Sequence, residues 1–160
     1  MQNFNALLQR FADAELDFVI VGGFAAVTHG SSYVTRDIDI CALLSAENIT
    51  KLRTALADWN PKHRLTPQKI SFLSHPAAGE PIQNLYLQTD EGVVHILSSI
   101  LGVGDFTRLK KHAEEIEVDG RHYRVMALAD LIQAKETLGW EKDLPTAKEL
   151  RAIAAKRKQI

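Results

Sequence analysis

The apolar run Phe18-Val19-Ile20-Val21 stops at Gly22-Gly23, and one short helix-like stretch later comes the alternating segment Asp37-Ile38-Asp39-Ile40-Cys41-Ala42. This order constrains the fold more than any other feature of the chain. A short, fully apolar run bounded by glycine reads as a buried strand. Phe24 to His29 reads as a helix that Gly30 and the polar pair Ser31-Ser32 stop. In the second segment Ile38, Ile40 and Ala42 fall on one face, and Asp37, Asp39 and Cys41 on the other. Two such strands joined through a helix need a sheet with helices packed on it.

The remaining sequence extends that architecture. Phe4, Leu7, Leu8 and Phe11 recur at helical spacing behind Asn3, a good N-cap. Ser45 caps a helix carrying Ile49, Leu52, Leu56 and Trp59, which Asn60-Pro61 ends. Residues 62–81 hold Pro67, Pro76, Gly79 and Pro81 and read as a loop with one strand around Ile70 to Leu73. Asn84 to Gln88 and Val93 to Leu97 flank Thr89-Asp90-Glu91-Gly92 as one hairpin, and Asp119-Gly120 turns a second, from Glu115 to Val125. Leu128, Leu131, Ile132 and Leu138 form a helix ended by Gly139, and a last helix starts near Pro145. The expected class is α/β (α+β), a mixed β-sheet with packed helices. One domain over 1–160 is expected, with C-terminal helices from about 127.

Composition narrows the setting. The length of 160 residues suits one core. No apolar run approaches the ~20 residues of a membrane span. The start Met1-Gln2-Asn3-Phe4-Asn5 lacks the basic region and apolar stretch of a signal peptide, so a cytoplasmic location is expected. Cys41 is the lone cysteine and sits among apolar residues, where a thiol behaves as a small hydrophobe. The net charge of −1 and pI near 6.6 make the molecule no polyanion magnet. The clusters Arg108-Leu109-Lys110-Lys111-His112 and Lys156-Arg157-Lys158 read as helix ends, where cations suit the macrodipole. An RNA partner is permitted but not indicated.

Two patterns carry chemistry. A strand running into Gly22-Gly23 and then a helix offers free backbone N–H groups and, without a Cβ, close approach for a phosphate. Alternation puts the Asp37 and Asp39 carboxylates on the same side of one strand, where they repel unless a cation such as Mg²⁺ lies between them. Either pattern alone reads equally well as a tight turn or a half-exposed strand. Thr35 shares the aspartate face and is a candidate donor to the site. Arg36 points away along an ideal strand and reaches a ligand only where the strand begins irregularly. Lys135 borders an apolar helix stripe, within reach of a phosphate. Tyr86 and Gln88 lie on the strand beside His95.

In this order, the segment from Val21 through Gly22-Gly23 to Asp37-Ile38-Asp39-Ile40 resembles the nucleotidyltransferase superfamily of the DNA polymerase β type. It is most similar to small bacterial members related to toxin–antitoxin and abortive-infection nucleotidyltransferases. Leu128-Ala129-Asp130-Leu131-Ile132-Gln133-Ala134-Lys135, followed by Gly139-Trp140-Glu141-Lys142-Asp143-Leu144, is similar to their C-terminal part, while residues 62–81 match nothing in it. The resemblance implies transfer of a nucleoside monophosphate from an NTP to an acceptor. It implies that Asp37 and Asp39 hold Mg²⁺ or Mn²⁺ and that Gly22-Gly23 binds the triphosphate. A cognate toxin or antitoxin is the implied protein partner.

Two departures stand out. The superfamily takes a third carboxylate from a neighbouring strand, and the matching stretch Gly92-Val93-Val94-His95-Ile96-Leu97-Ser98 carries His95 there. Imidazole is a poor Mg²⁺ ligand, suits Zn²⁺ well, and offers a base. The glycine motif reads Gly-Gly-Phe, without the serine of many active members. A degenerate domain that binds a nucleotide or a protein partner without turnover is thus the alternative to an enzyme, and a generic structural domain is a third reading.

Overall fold

A computed structural model describes residues 3–32, 34–77, 79–139 and 143–158. Tyr33 and the Trp140-Glu141-Lys142 part of the C-terminal resemblance lie outside the described residues, as do Met1 and Gln2.

The chain opens with α1 (Phe4–Asp13), where Asn3 Oδ1 accepts the Ala6 N–H at 3.1 Å and Leu7, Leu8 and Phe11 are buried. β1 (Val19–Val21) runs directly into α2 (Gly22–Thr28), and β2 (Asp37–Cys41) follows. The second helix thus starts two residues before the expected Phe24, leaving no loop between strand and helix. α3 (Ala46–Leu56), capped by Ser45, tightens into a 3₁₀ turn over Ala57–Trp59, and Asn60 closes it in the left-handed region.

Next come β3 (Lys62–His63), the hairpin β4 (Asn84–Thr89) and β5 (Gly92–Leu97), and the short ribbon β6 (Ser99–Ile100) and β7 (Gly104–Asp105). α4 (Phe106–His112) leads to the second hairpin, β8 (Glu114–Val118) and β9 (Arg121–Val125), then α5 (Leu128–Leu138) and α6 (Leu144–Lys158).

Among the described residues, seven strands form one mixed sheet in the order β3-β4-β5-β2-β1-β9-β8. β2 pairs parallel with β5 and antiparallel with β1, and β9 pairs parallel with β1. Ile20, Ile38, Ile40 and Ile96 on these inner strands are fully buried. Each such side chain contributes about 1.5–3 kcal/mol, which holds β2 at the centre and fixes its register, since a one-residue slip would bury the aspartates. That register aligns Val21, Asp39, His95 and Tyr86 in one row across four strands.

Residues 62–81 correct one expectation. The strand lies at Lys62–His63, and around Ile70 to Leu73 Ser71 alone pairs, as an isolated bridge to Lys62. Phe72 explains this, because its side chain is wholly buried and the backbone turns to insert it. Arg53 then anchors the segment, donating to the carbonyls of Phe72 at 2.8 Å and Pro76 at 2.6 Å. The β6–β7 ribbon was not expected, whereas the Arg108–His112 cluster, expected as a helix end, is the C-terminal part of α4, whose start at Phe106 was not expected. The signal was present: Asp105 caps the Arg108 N–H at 3.1 Å, and Phe106 and Leu109 are buried three residues apart.

Candidate functional site

A cavity of about 300 Å³ opens where β1 gives way to α2 and β2 begins. Gly22, Gly23, Val34, Thr35, Arg36, Asp37, Asp39 and Lys135 line it. The structure therefore brings together every candidate from the sequence except His95, which contacts Asp39 from the neighbouring strand, and Tyr86 and Gln88 on the strand beyond it. Larger cavities, of about 460 Å³ beside the β8–β9 hairpin and about 750 Å³ between α5 and α6, lie elsewhere and contain none of these residues.

Asp39 is the pivot, and its two carboxylate oxygens meet different surroundings. Oδ2 lies against Gly22, whose φ of +68° already disfavours any side chain. A Cβ there would run into Oδ2 and come within 3.0 Å of the Asp39 Cβ and Cγ. Glycine is thus required twice, by backbone conformation and by the approach of the carboxylate. Oδ1 is buried and accepts no hydrogen bond. His95 Nδ1 lies 2.9 Å from it, outside hydrogen-bonding geometry.

His95 is held on its other side by Arg64, whose Nη1 lies 2.9 Å from His95 Nε2. A guanidinium has donors and no acceptor, so Nε2 supplies the lone pair and the neutral ring carries its proton on Nδ1, facing Asp39. Neither ring nitrogen keeps a lone pair free for a cation. Tyr86 packs edge-on against the ring at 5.2 Å and fixes its plane. Sequence reasoning missed Arg64, because it sits in the 62–81 segment that matched nothing and only the sheet register brings it to His95. Gln88, considered with Tyr86, instead accepts from Lys69 at 3.3 Å.

The other candidates fall as follows. The Thr35 hydroxyl donates to the backbone carbonyl of Asp37 at 2.8 Å, so it shapes the entry to β2 rather than touching a carboxylate. Arg36 precedes the first residue of β2 and lines the cavity, free of the alternation that would have turned it away. Lys135, from α5, lies 3.4 Å from the buried Asp143, which holds its ammonium at the cavity wall. Cys41 shares the aspartate face but is fully buried, and that burial, with Asp105 nearby, pushes its thiol up to about 12. It offers no thiolate nucleophile near neutral pH.

Among the described residues no three metal-ligating side chains converge, so a cation here would meet a carboxylate pair. That donor set fits Mg²⁺, which is commonly held by one or two carboxylates and completed by substrate phosphates and water. The unpartnered Asp39 Oδ1 points the same way, since a buried carboxylate oxygen without a donor is costly unless something else satisfies it. Arg36 and Lys135 supply positive charge to the same cavity.

No protein-family model matches the chain, and no curated protein sequence matches it significantly. Solved structures do. A Thermotoga maritima protein assigned to the nucleotidyltransferases is 18% identical with a TM-score of 0.55, over 98% of this chain and 96% of its own. The lincosamide antibiotic adenylyltransferase LnuA, solved with lincomycin, is 17% identical with a TM-score of 0.62, over 95% and 98%. ANT(2″)-Ia, solved with adenylyl-2″-tobramycin, is 13% identical with a TM-score of 0.54, over 98% and 95%. At these identities the likeness establishes the fold, a mixed sheet with helices shared along nearly the whole chain.

Proposed function

We propose that this chain, which has the nucleotidyltransferase fold, transfers a nucleoside monophosphate from an NTP to an acceptor hydroxyl in a metal-dependent reaction. The observation that carries this reading is the cavity: the glycine turn, the Asp37–Asp39 pair with an unpartnered oxygen, Arg36 and Lys135 line one space.

In this reading the triphosphate enters between the glycine turn and the two cations. Helix first-turn amides lack intrahelical acceptors and suit its oxygens. Arg36 and Lys135 offset its charge, and Asp143 keeps Lys135 from swinging away. Asp37 and Asp39 would hold Mg²⁺ or Mn²⁺, which when bound supplies charge neutralisation on the phosphates and acidifies the attacking hydroxyl. His95, committed to Arg64 at one nitrogen, lies 2.9 Å from Asp39 with the other and acts as a positioning residue that limits, by contact rather than by a hydrogen bond, where the Asp39 carboxylate can turn. The acceptor belongs to one of three classes: a protein, an RNA end or a small molecule.

A second reading is a nucleotide-binding domain that has lost turnover and acts through a partner such as a cognate toxin or antitoxin. Its support is His95 itself, a neutral ring where the resemblance implies a third carboxylate.

Calorimetric titration of each NTP with Mg²⁺ and then Mn²⁺, into wild type and Asp37→Ala/Asp39→Ala, tests the site. Metal-dependent binding that weakens by at least about 100-fold in the double variant is expected. Absence of binding for every NTP with both metals sinks the enzyme reading. Binding without pyrophosphate release in the presence of any acceptor favours the second.

A further inference from the structure

A second cavity, of about 260 Å³, adjoins the first and shares Gly22, Asp39 and Lys135 with it. Its character is different. Apart from those three residues and Ser99, its lining is apolar, with Leu97, Ile100, Leu101, Met126, Leu131 and Leu138 prominent. Two contacts clamp the β6–β7 ribbon onto α5 and so hold this cavity open. Gln133 donates to the Gly102 carbonyl, and Gly102 lies so close to Thr137 that a Cβ would run into its side chain.

We infer that this apolar cavity is the acceptor subsite, and that the acceptor is a small, uncharged, hydroxyl-bearing compound with one apolar ring system. The inference rests on the nucleotidyl-transfer reading and names its substrate class. Three observations support it. The two cavities meet at Asp39, so a hydroxyl carried in the apolar one emerges beside the carboxylate that faces the phosphates. The charged side chains in its lining, Asp39 and Lys135, are taken up by the metal and the triphosphate in that reading, so a polycationic sugar or an RNA backbone would lose hydration without gaining a partner. Its volume of about 260 Å³ falls just below the usual range of ligand cavities, roughly 300–1,000 Å³, and suits one ring system rather than an oligosaccharide. A nucleobase fits less well, because its polar edge would find Ser99 as the one hydroxyl in the lining. In the transfer the acceptor oxygen bonds to the α-phosphorus. The bond from that phosphorus to the oxygen bridging to the β-phosphate breaks, pyrophosphate leaves with the electron pair, and the hydroxyl proton passes to solvent.

The test uses 1-naphthol, a bicyclic phenol, read by its fluorescence, with tobramycin as the polycationic comparison by calorimetry. Wild type, Ala134→Phe, which fills the cavity, and Leu101→Asp, at the exposed mouth, are titrated without nucleotide, and each is then titrated with Mg²⁺·ATP. Saturable naphthol binding, weakened at least about tenfold by Ala134→Phe and severalfold by Leu101→Asp, is expected, with ATP affinity within about twofold of wild type and no tobramycin binding. Leu101 is 68% exposed, so Leu101→Asp keeps the test in force if Ala134→Phe fails to fold. Three results overturn the inference: naphthol binding that is absent or unchanged in both variants, ATP affinity that falls in parallel with naphthol affinity, or tobramycin binding that the variants weaken. Failure to bind ATP in wild type would count against the transfer reading instead, because naphthol is measured without nucleotide.

Discussion

Asp17 and Asp39 are both partly exposed carboxylates, and the fold surrounds them in opposite ways. Asp17 lies between Lys110 at 2.5 Å and Arg124 at 2.9 Å. Asp13 has Arg121, and Asp58 has Arg10, which also stacks over Trp59 at 4.0 Å. Asp37 and Asp39, by contrast, form no ion pair with lysine or arginine among the described residues, although Arg36 and Lys135 line their cavity. Around Asp39 the near partners are a neutral imidazole and a glycine. The first group is satisfied from within the chain and belongs to the scaffold. The second keeps its charge unneutralised, at a cost in self-repulsion, which is the arrangement expected where a ligand completes the electrostatics.

The sharpest way to break this contrast is to fill the space beside Asp39. Gly22→Ala adds a Cβ against Oδ2 at a φ of +68°. Strain and overpacking together predict a loss of about 2–4 kcal/mol in chemical denaturation, along with loss of NTP binding. Gly120→Ala is the comparison, since its φ is +80° but its Cβ would meet nothing within 4 Å. Equal destabilisation of the two would show that the approach of Asp39 is not what demands glycine at 22.

Freeing His95 comes next. Arg64→Ala removes the donor at Nε2, and about a tenfold loss in metal-dependent NTP affinity is expected, the scale of lost orienting contacts around metal ligands. Nitrogen-15 NMR of the histidine ring should show one tautomer in wild type and a mixture in the variant. An unchanged tautomer in Arg64→Ala would refute the positioning role.

The smallest effect is expected on the scaffold side. Hydrogen bonding to Arg10 holds the Asp58 carboxyl below the usual carboxylate range. A depressed folded-state pKa stabilises above the unfolded value, near 3.9, and that contribution disappears as pH falls through the folded one. Asp58→Asn should therefore lose slightly to wild type at neutral pH and converge with it in acid, while NTP binding stays unchanged. A change in nucleotide affinity would show that scaffold and site are not separate.

Much of the fold was legible because its signals are local. Asn3 and Ser45 cap the helices they precede, and the two hairpins turn where Gly92 and Gly120 allow. Gly139 ends α5 in the left-handed region. The strand expected at Ile70 to Leu73 failed because burying Phe72 outweighed extended propensity, and of α4 the basic end was legible but not the start at Phe106. At the site, the spacing of Asp37 and Asp39 was visible, but neither the direction of Arg36 nor the hydroxyl contact of Thr35 could be read from alternation, since both precede the strand that alternation describes.

The sequence by itself determined which residues could share a face: period two set Asp37 with Asp39 and Ile38 with Ile40, and Gly22-Gly23 marked where strand becomes helix. Tertiary structure alone decided their company. The parallel pairing of β2 with β5 set His95 beside Asp39, the irregular segment after β3 supplied Arg64, and the packing of α5 carried Lys135 to the wall between the two cavities. Side-chain periodicity is a property of a few consecutive bonds. Register and helix placement come from burying apolar surface across the whole chain, and no local pattern encodes them.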